Sequence, residues 1–334
     1  MKSNTPSAMP LTMKISAFVK QNPALMAVFI AILLYALTVI IVPSSFNIGA
    51  IATIFMLTLL LSFTSAGQTI VLIGGGLDFT VGAVMSTAAI ITTTIMDAQD
   101  GRFLATFAVV MVMAVSVGLL NGLCTVKIGL PPLIVTMAIA NVVTRLQYVV
   151  TQGSPVGFAG PAFISSINSR IFTYVPSIAL YALIIFPLVF YILNRSRFGR
   201  QLYLVGNNNE AARLSGINTN KIKVLSYMFS AAFAGFAGML GAGYMQSART
   251  QMFDDYAFNS LVAVIVGGTA FTGGIGSYTG SIAGALLMVV LSNMLTIVTM
   301  DLPVGLSQPI RNIVMGAVMV LLLLLYNRKK PVRQ

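Results

Sequence analysis

The sequence predicts an all-α polytopic membrane protein of about ten transmembrane helices, some broken by glycine-rich segments, with both termini cytoplasmic. Three observations predict it. Apolar residues fill 57% of the 334 positions and charged residues 8%, whereas a soluble domain of ordinary composition carries roughly 25% charged residues. The apolar residues form continuous runs close to the ~20 helical residues that cross a hydrocarbon layer, not the alternating segments of a barrel. With the runs alternating across the membrane, 14 of the 19 Lys and Arg fall on one side, at the termini and in the connections after the fourth and sixth runs, as retention of positive charge in the cytoplasm requires.

The runs are, in order, Ala24 to Val42, Ile48 to Ala66, Phe79 to Met96, Phe103 to Cys124, Leu133 to Val150, Val175 to Leu193, Val224 to Met245, Tyr256 to Ala270, Tyr278 to Val298 and Leu306 to Tyr326. The first follows Lys2, Lys14 and Lys20 and has no small-x-small cleavage motif after it, so it reads as an uncleaved span rather than a removable signal. The eighth is short. With the amino terminus inside, the cytoplasmic side collects Lys2, Lys14, Lys20, Lys127, Arg195, Arg197, Arg200, Arg213, Lys221, Lys223, Arg328, Lys329, Lys330 and Arg333. The outside receives Arg102, Arg170 and Arg249 with Asp97, Asp100, Asp254, Asp255 and Asp301. The net charge of +12 is therefore mostly topological, and nucleic acid is dropped as a partner; lipid is the medium.

The chemistry the chain lacks narrows its function. There is no histidine, one cysteine (Cys124) and one glutamate (Glu210), too few groups for a zinc site or a histidine-based nucleophile. No Gly-Lys dipeptide occurs, so the chain has no phosphate-binding loop of the usual kind, and ATP, if used, must be bound by another subunit. An enzyme is not expected.

Two glycine-rich passages interrupt the helical pattern. Gly74, Gly75 and Gly76 precede Asp78 and Thr80, and three glycines disfavour helix by about 1 kcal/mol each. Non-helical backbone at membrane depth is tolerated only against protein or a watery cavity, so this passage is expected to line a translocation path. Asp78 lies either on that path or caps the third span; the cap is the preferred reading. A similar passage runs from Val266 to Ser277 and hints at internal duplication, a common transporter design. Gly276, Gly280 and Gly284, and Gly118 with Gly122, have the four-residue spacing of close helix packing.

Polar residues interrupt apolar runs at Gln68, Asn121, Asn141, Arg145, Gln147, Asn259, Asn293 and Asn312. Arg145 must face protein or water, because a mid-bilayer charge costs roughly 2.5 to 3.5 kcal/mol. Neutral amides suit a sugar-like solute on the path; helix-to-helix hydrogen bonding is the other reading for each. The external segment Thr151 to Tyr174, rich in Gly and Pro, either packs over a cavity mouth or is a plain connector.

The remaining feature is a polar island, Gly199 to Lys223. Asn207 to Asn209 are capping residues, Glu210 to Leu214 favour helix, and Gly216 stops it. The island is either a solvated loop or a docking element.

Three passages together resemble the permease subunits of bacterial ribose-type (monosaccharide) ABC importers: GGGLDFTVGAVMS at Gly74 to Ser86, GRQLYLVGNNNEAARLSGI at Gly199 to Ile217, and VGGTAFTGGIGSYTGSIAGAL at Val266 to Leu286. The likeness covers essentially the whole chain. It departs at Asn207, where the family often has glycine, and at Phe79, where leucine is frequent. The resemblance implies a multi-pass protein of the bacterial inner membrane. Residues 1–22 would be a cytoplasmic segment, 23–327 the permease domain with a coupling loop at 194–223, and 328–334 a basic cytoplasmic tail. It implies that Glu210, Ala211, Ala212, Arg213, Leu214, Ser215 and Gly216 form a coupling helix seated on a cytoplasmic ATPase. On that reading Glu210 and Arg213 make polar contacts, and Ala211 with Ala212 forms a small packing face. The chain itself would bind no cofactor; ATP and Mg would sit on the ATPase. A second permease copy or a sister permease completes the pore, and a periplasmic binding protein delivers a sugar-like solute. The expected path or gate residues are Gly74, Gly75, Gly76, Asp78, Thr80, Asn141, Arg145, Gln147 and Asn293. The competing reading is an ion-coupled secondary carrier of a small polar solute, for which Asp78 is the one ready ion site.

Overall fold

The computed structural model describes residues 22–171 and 175–299, and positions 310, 313, 314, 316, 317 and 320. The tenth expected run, Arg311, Asn312, Asp301, the amino-terminal lysines and the tail 328–334 thus lie outside the described residues or are described only at isolated positions.

The helices are α1 (Pro23–Ile41), α2 (Ile48–Ile73), α3 (Val81–Met96), α4 (Phe103–Leu123), α5 (Pro132–Thr151), α6 (Pro161–Asn168), α7 (Ala179–Asn194), α8 (Arg197–Asn207), α9 (Asn209–Leu214), α10 (Thr219–Met245), α11 (Tyr256–Val266) and α12 (Tyr278–Val298). A two-residue hairpin, Arg170–Ile171 against Val175–Pro176, follows α6. The protein is an all-α polytopic membrane protein. Among the described residues six helices are long and apolar enough to cross a membrane: α1, α2, α4 with its flanking turns, α5, α10 and α12. Helices α7 and α8 pass that test together, bent by 59°. Helices α3 and α11 occupy the third and eighth expected runs as shorter apolar helices.

Capping chemistry sets several boundaries that apolar runs alone misplace. Helix α2 continues seven residues past Ala66 because Gln68 is buried in the bundle and leaves the ladder intact, and it stops at Gly74. Helix α10 starts at Thr219, not Val224, because the Asn218 side chain accepts from the Lys221 N–H at 3.0 Å. Helix α11 stops at Val266, four residues early, where the Gly267 and Gly268 amides bond back to Ala263 and Ile265.

Helix α10 is the central post. It packs on α2, α3 and α4, whose Leu60, Phe63, Val84, Met85, Val110 and Ala114 form the main core with its own Ala234 and Ala237. Lipid tails are as apolar as leucine, so close backbone packing must supply the association energy. Gly118 and Gly122 of α4 lie against the α10 backbone at Met228 and Val224, where an added Cβ would come within 2.7 Å of each Cα. A second core joins α1, α11, α12 and the first half of α2. There Gly280 and Gly284 of α12 meet the carbonyls of Gly267 and Ala263.

The connection after α5 packs on the bundle through α6. Phe163 and Ile167 of α6 are buried against Gly243 of α10, and the Asn168 side chain donates to the Gly243 carbonyl at 2.9 Å. Both Asp100 carboxylate oxygens accept the Ala162 N–H at 3.0 Å, capping α6 from a distant loop. Asp100→Ala is expected to destabilise the protein by about 1 kcal/mol. A lower melting temperature in detergent, unmatched by the exposed neighbour substitution Gln99→Ala, is the check.

Candidate functional site: a three-walled cavity and a glycine junction

A cavity of about 160 Å³ lies between three elements of the bundle. Its first wall is α5, carrying Met137, Asn141, Thr144 and Arg145. The second is the start of α3, with Phe79 and Ala83; the third is Gln251, Asp254, Ala257 and Phe258 at the start of α11. Asn141 and Arg145 share a face because they stand four residues apart on a helix.

Polar side chains pin the three walls together. Gln147 is buried and donates to the Ala83 carbonyl at 3.1 Å and to Thr87 Oγ1 at 2.9 Å, while its own carbonyl accepts the Gln251 N–H at 3.2 Å. The Tyr148 hydroxyl donates to Gln251 Oε1 at 2.8 Å. The Phe253 N–H donates to Ser86 Oγ at 2.9 Å, and Gly82 lets the Phe253 and Asp254 carbonyls approach, each 2.7 Å from where a Cβ would lie. Phe79 and Phe258 stack edge to face at 5.0 Å.

The cavity has binding groups to spare. Arg145 has no hydrogen-bond or ion-pair partner among the described residues, and Asn141 spends one amide proton on the Met137 carbonyl at 2.9 Å. One Asp254 oxygen is buried without a partner. Burial pushes the Asp254 carboxyl above the usual carboxylate range; a hydrogen bond from Gln251 opposes this and the neighbouring Asp255 charge adds to it. Cation, carboxylate, amide and aromatic faces around a small concavity suit a polyhydroxylated solute.

The expected path residues therefore divide. Asn141 and Arg145 line the cavity, and Gln147 braces it from behind. Gly74, Gly75, Gly76, Asp78 and Thr80 do not line it. Asn293 sits half-buried on α12, also outside the lining. Asp78 is fully buried and accepts from the Thr80 N–H at 2.9 Å. Thr80 is itself the N-cap residue of α3, so the carboxylate fixes the cap residue instead of bonding first-turn amides. Asn121 of α4 donates to Thr80 Oγ1 at 2.8 Å. Sequence reasoning missed Phe79, Gln251, Asp254 and Phe258 as lining residues. In sequence Asp254 reads only as an acid of the outer connections, and nothing local marks it as cavity-facing.

The three motif passages meet elsewhere, at a glycine junction. Gly75 turns the chain after α2 with φ +78°, a left-handed conformation that favours glycine. The Gly274 N–H donates to the Ile73 carbonyl at 2.9 Å, joining the second passage to the first. Helix α8 docks on both. A Cβ on its Gly206 would collide with the Ile73 carbonyl, and the Tyr203 hydroxyl donates to the Gly276 carbonyl at 2.8 Å.

Beyond α8 the chain forms α9. Asn208 is its N-cap, accepting the Ala211 N–H at 3.0 Å, and Gly216, at φ +80°, ends it. Glu210 and Arg213 pair at 2.9 Å with side chains 66% and 67% exposed, and Leu214 is 84% exposed. Ala211 and Ser215 also face out, whereas Ala212 is buried in the main core with Leu202, Val205 and Ile222. The small packing face expected of Ala211 and Ala212 is therefore Ala211 alone, because helical spacing turns its neighbour inward. Among the described residues no group of three or more His, Cys, Asp or Glu could hold a metal ion.

The branched-chain amino acid transport system / permease component family model matches residues 47–323. The ribose import permease protein RbsC of Escherichia coli K12 is 28% identical over 324 residues, 94% of this chain and 96% of that one. RbsC of Haemophilus influenzae is 30% identical over 273 residues, 80% and 84% of the two chains. The galactose/methyl galactoside import permease protein MglC of E. coli K12 is 28% identical over 312 residues, 86% and 89%. No solved structure matches. With a family model spanning the main core, the cavity and the glycine junction, and with full-length relatives among sugar import permeases, the chain belongs to the branched-chain amino acid transport system / permease component family, on its ribose-type side.

Proposed function

We propose that this chain is the membrane subunit of an ATP-driven importer that carries a sugar or sugar-like solute from a periplasmic binding protein into the cytoplasm by alternating access. The observation that carries the reading is the cavity, in which Arg145, Asn141 and Asp254 offer unspent hydrogen-bonding capacity beside the Phe79 and Phe258 rings. Hydroxyls of a monosaccharide would take up those groups, and its C–H faces would lie on the rings. The chain has no nucleotide site of its own in this reading; α9 engages a cytoplasmic ATPase that holds ATP and Mg. A second permease copy or a sister permease covers the open side of α5, keeping Arg145 from lipid. In this reading α9 and both termini lie in the cytoplasm, which the charge distribution supports, and the protein sits in the inner membrane of a bacterial cell.

The test is uptake by proteoliposomes holding the chain with its ATPase, given the binding protein and a panel of labelled pentoses and hexoses. ATP-dependent uptake of one sugar is expected. Arg145→Ala and Asn141→Ala are each expected to lower it at least tenfold with the protein amount unchanged. Gradient-driven uptake by the purified chain alone would instead establish a secondary carrier.

A further inference from the structure

Two walls of the cavity adjoin the glycine junction. Its α3 wall begins where the first passage ends, at Asp78 to Thr80, and its α11 wall ends where the second passage begins, at Gly267. The passages are bonded to each other through the Gly274 N–H and the Ile73 carbonyl. Their helices also end alike. Gly74, Gly75 and Gly76 donate to Ile70, Leu72 and Val71, and Gly267, Gly268 and Thr269 donate to Ala263, Ile265 and Val264 in the same order. Two equivalent helix ends thus share one joint, and neither passage has helical bonding to stiffen it.

Helix α8 is wedged into this joint. Tyr203 is its one hydrogen-bonding side chain that reaches the second passage, through the Gly276 carbonyl, and Gly206 permits backbone contact with the first. Gly274 in turn abuts Asn207, where a Cβ would come within 2.7 Å of the Asn207 Cα. Asn207 ends α8, and Asn208 caps α9. No break separates the two helices beyond that cap residue, so a push on α9 arrives at the joint through one helix end.

We propose that Tyr203 and Gly206 are positioning residues that transmit displacement of the exposed α9 segment to the α3 and α11 walls of the cavity. This rests on the importer reading above. The hydroxyl-to-carbonyl bond makes α8 and the second passage move as one piece, and the backbone contact at Gly206 makes the first passage follow. Neither residue touches solute or nucleotide. Their loss separates hydrolysis from transport without abolishing either site.

The experiment uses the full complex of chain, ATPase and binding protein in proteoliposomes, comparing the unaltered chain with Tyr203→Phe and Gly206→Ala. Co-purification with the ATPase is measured first, then ATP hydrolysis and sugar uptake in the same vesicles. For Tyr203→Phe uptake per ATP hydrolysed is expected to fall at least tenfold while co-purification is retained; Gly206→Ala, whose Cβ meets the Ile73 carbonyl, is expected to assemble less well and to show the same fall in the complex that forms. A purely structural role would lower assembly, hydrolysis and uptake together and leave their ratio unchanged. An unchanged ratio in Tyr203→Phe overturns the relay alone, as does failure of both variants to assemble. Absence of ATP-driven uptake by the unaltered complex overturns the importer reading and the relay with it.

Discussion

Glu210→Lys is expected to lower ATP-driven uptake about a hundredfold, roughly 2.8 kcal/mol at 1.4 kcal/mol per decade, while the amount of protein in the membrane stays the same. The separation follows from where Glu210 sits. Its ion pair with Arg213 is two-thirds exposed on both sides, and such a surface pair contributes little to stability. Reversing the charge removes that pair and places a cation in the first turn of α9, a further cost of about 0.3 to 1 kcal/mol. Neither effect unfolds a bundle whose cores lie elsewhere. A partner surface that accepts the Glu210 carboxylate, by contrast, meets a like charge, and that penalty is large when desolvated. Uptake in membrane vesicles, an immunoblot of the membrane fraction and a pull-down of the ATPase together read the result. Normal uptake by the variant would remove α9 from the coupling role.

Gly118→Leu is expected to have the largest effect on stability. The α4 and α10 backbones are in direct contact there, with the Met228 Cα 2.7 Å from a Cβ at position 118. Side chains can repack around an inserted group, but the rigid α10 backbone cannot move without disturbing α2 and α3, which also pack on it. Overpacking in a tight core costs typically 1 to 3 kcal/mol, and contact with backbone puts this position at about 3 kcal/mol or beyond. Loss of the monodisperse peak in detergent gel filtration, or a fall in melting temperature well beyond that of other variants, is the expected observation. Gly101→Leu is the control, since a Cβ there meets nothing within 4 Å. Equal behaviour of the two variants would show that the close approach at Gly118 contributes nothing to the fold.

Much of the fold is legible in the sequence because membrane insertion is a nearly one-dimensional problem. Each helix satisfies its own backbone, so a run of apolar residues is a helix wherever it lies. The limits of α12, Tyr278 to Val298, and the start of α4 at Phe103 coincide with the apolar runs. The exceptions lie where polar residues are buried inside the bundle, as at Gln68, or where a cap overrides hydropathy, as at Asn218. Span length was less legible: α3 and α11 are shorter apolar helices than the runs that predict them, α3 following one glycine-rich passage and α11 preceding the other.

The candidate site was half legible. A charged or amide residue in an apolar run is costly enough to announce itself, which is why Asn141 and Arg145 stood out and why both line the cavity. Phe79 and Phe258 are ordinary apolar residues until α3 and α11 bring their rings to 5.0 Å. Asp254 looked like loop charge until the Phe253 N–H bond to Ser86 held its loop onto α3. Asn293 looked as suspicious as Asn141, but α12 lies on the α1 side of the bundle, among the second core.

By itself the sequence determined that this is a multi-pass helical protein and that the island around Glu210 forms a capped short helix. These rest on local free energies: hydropathy and helix capping. Only the tertiary structure decided that the glycines of the two passages pack on each other and on α8 rather than line the cavity, that Ala212 faces inward, and which polar residues converge at the cavity. Those outcomes depend on contacts between residues up to two hundred positions apart, and short-range propensity is blind to them.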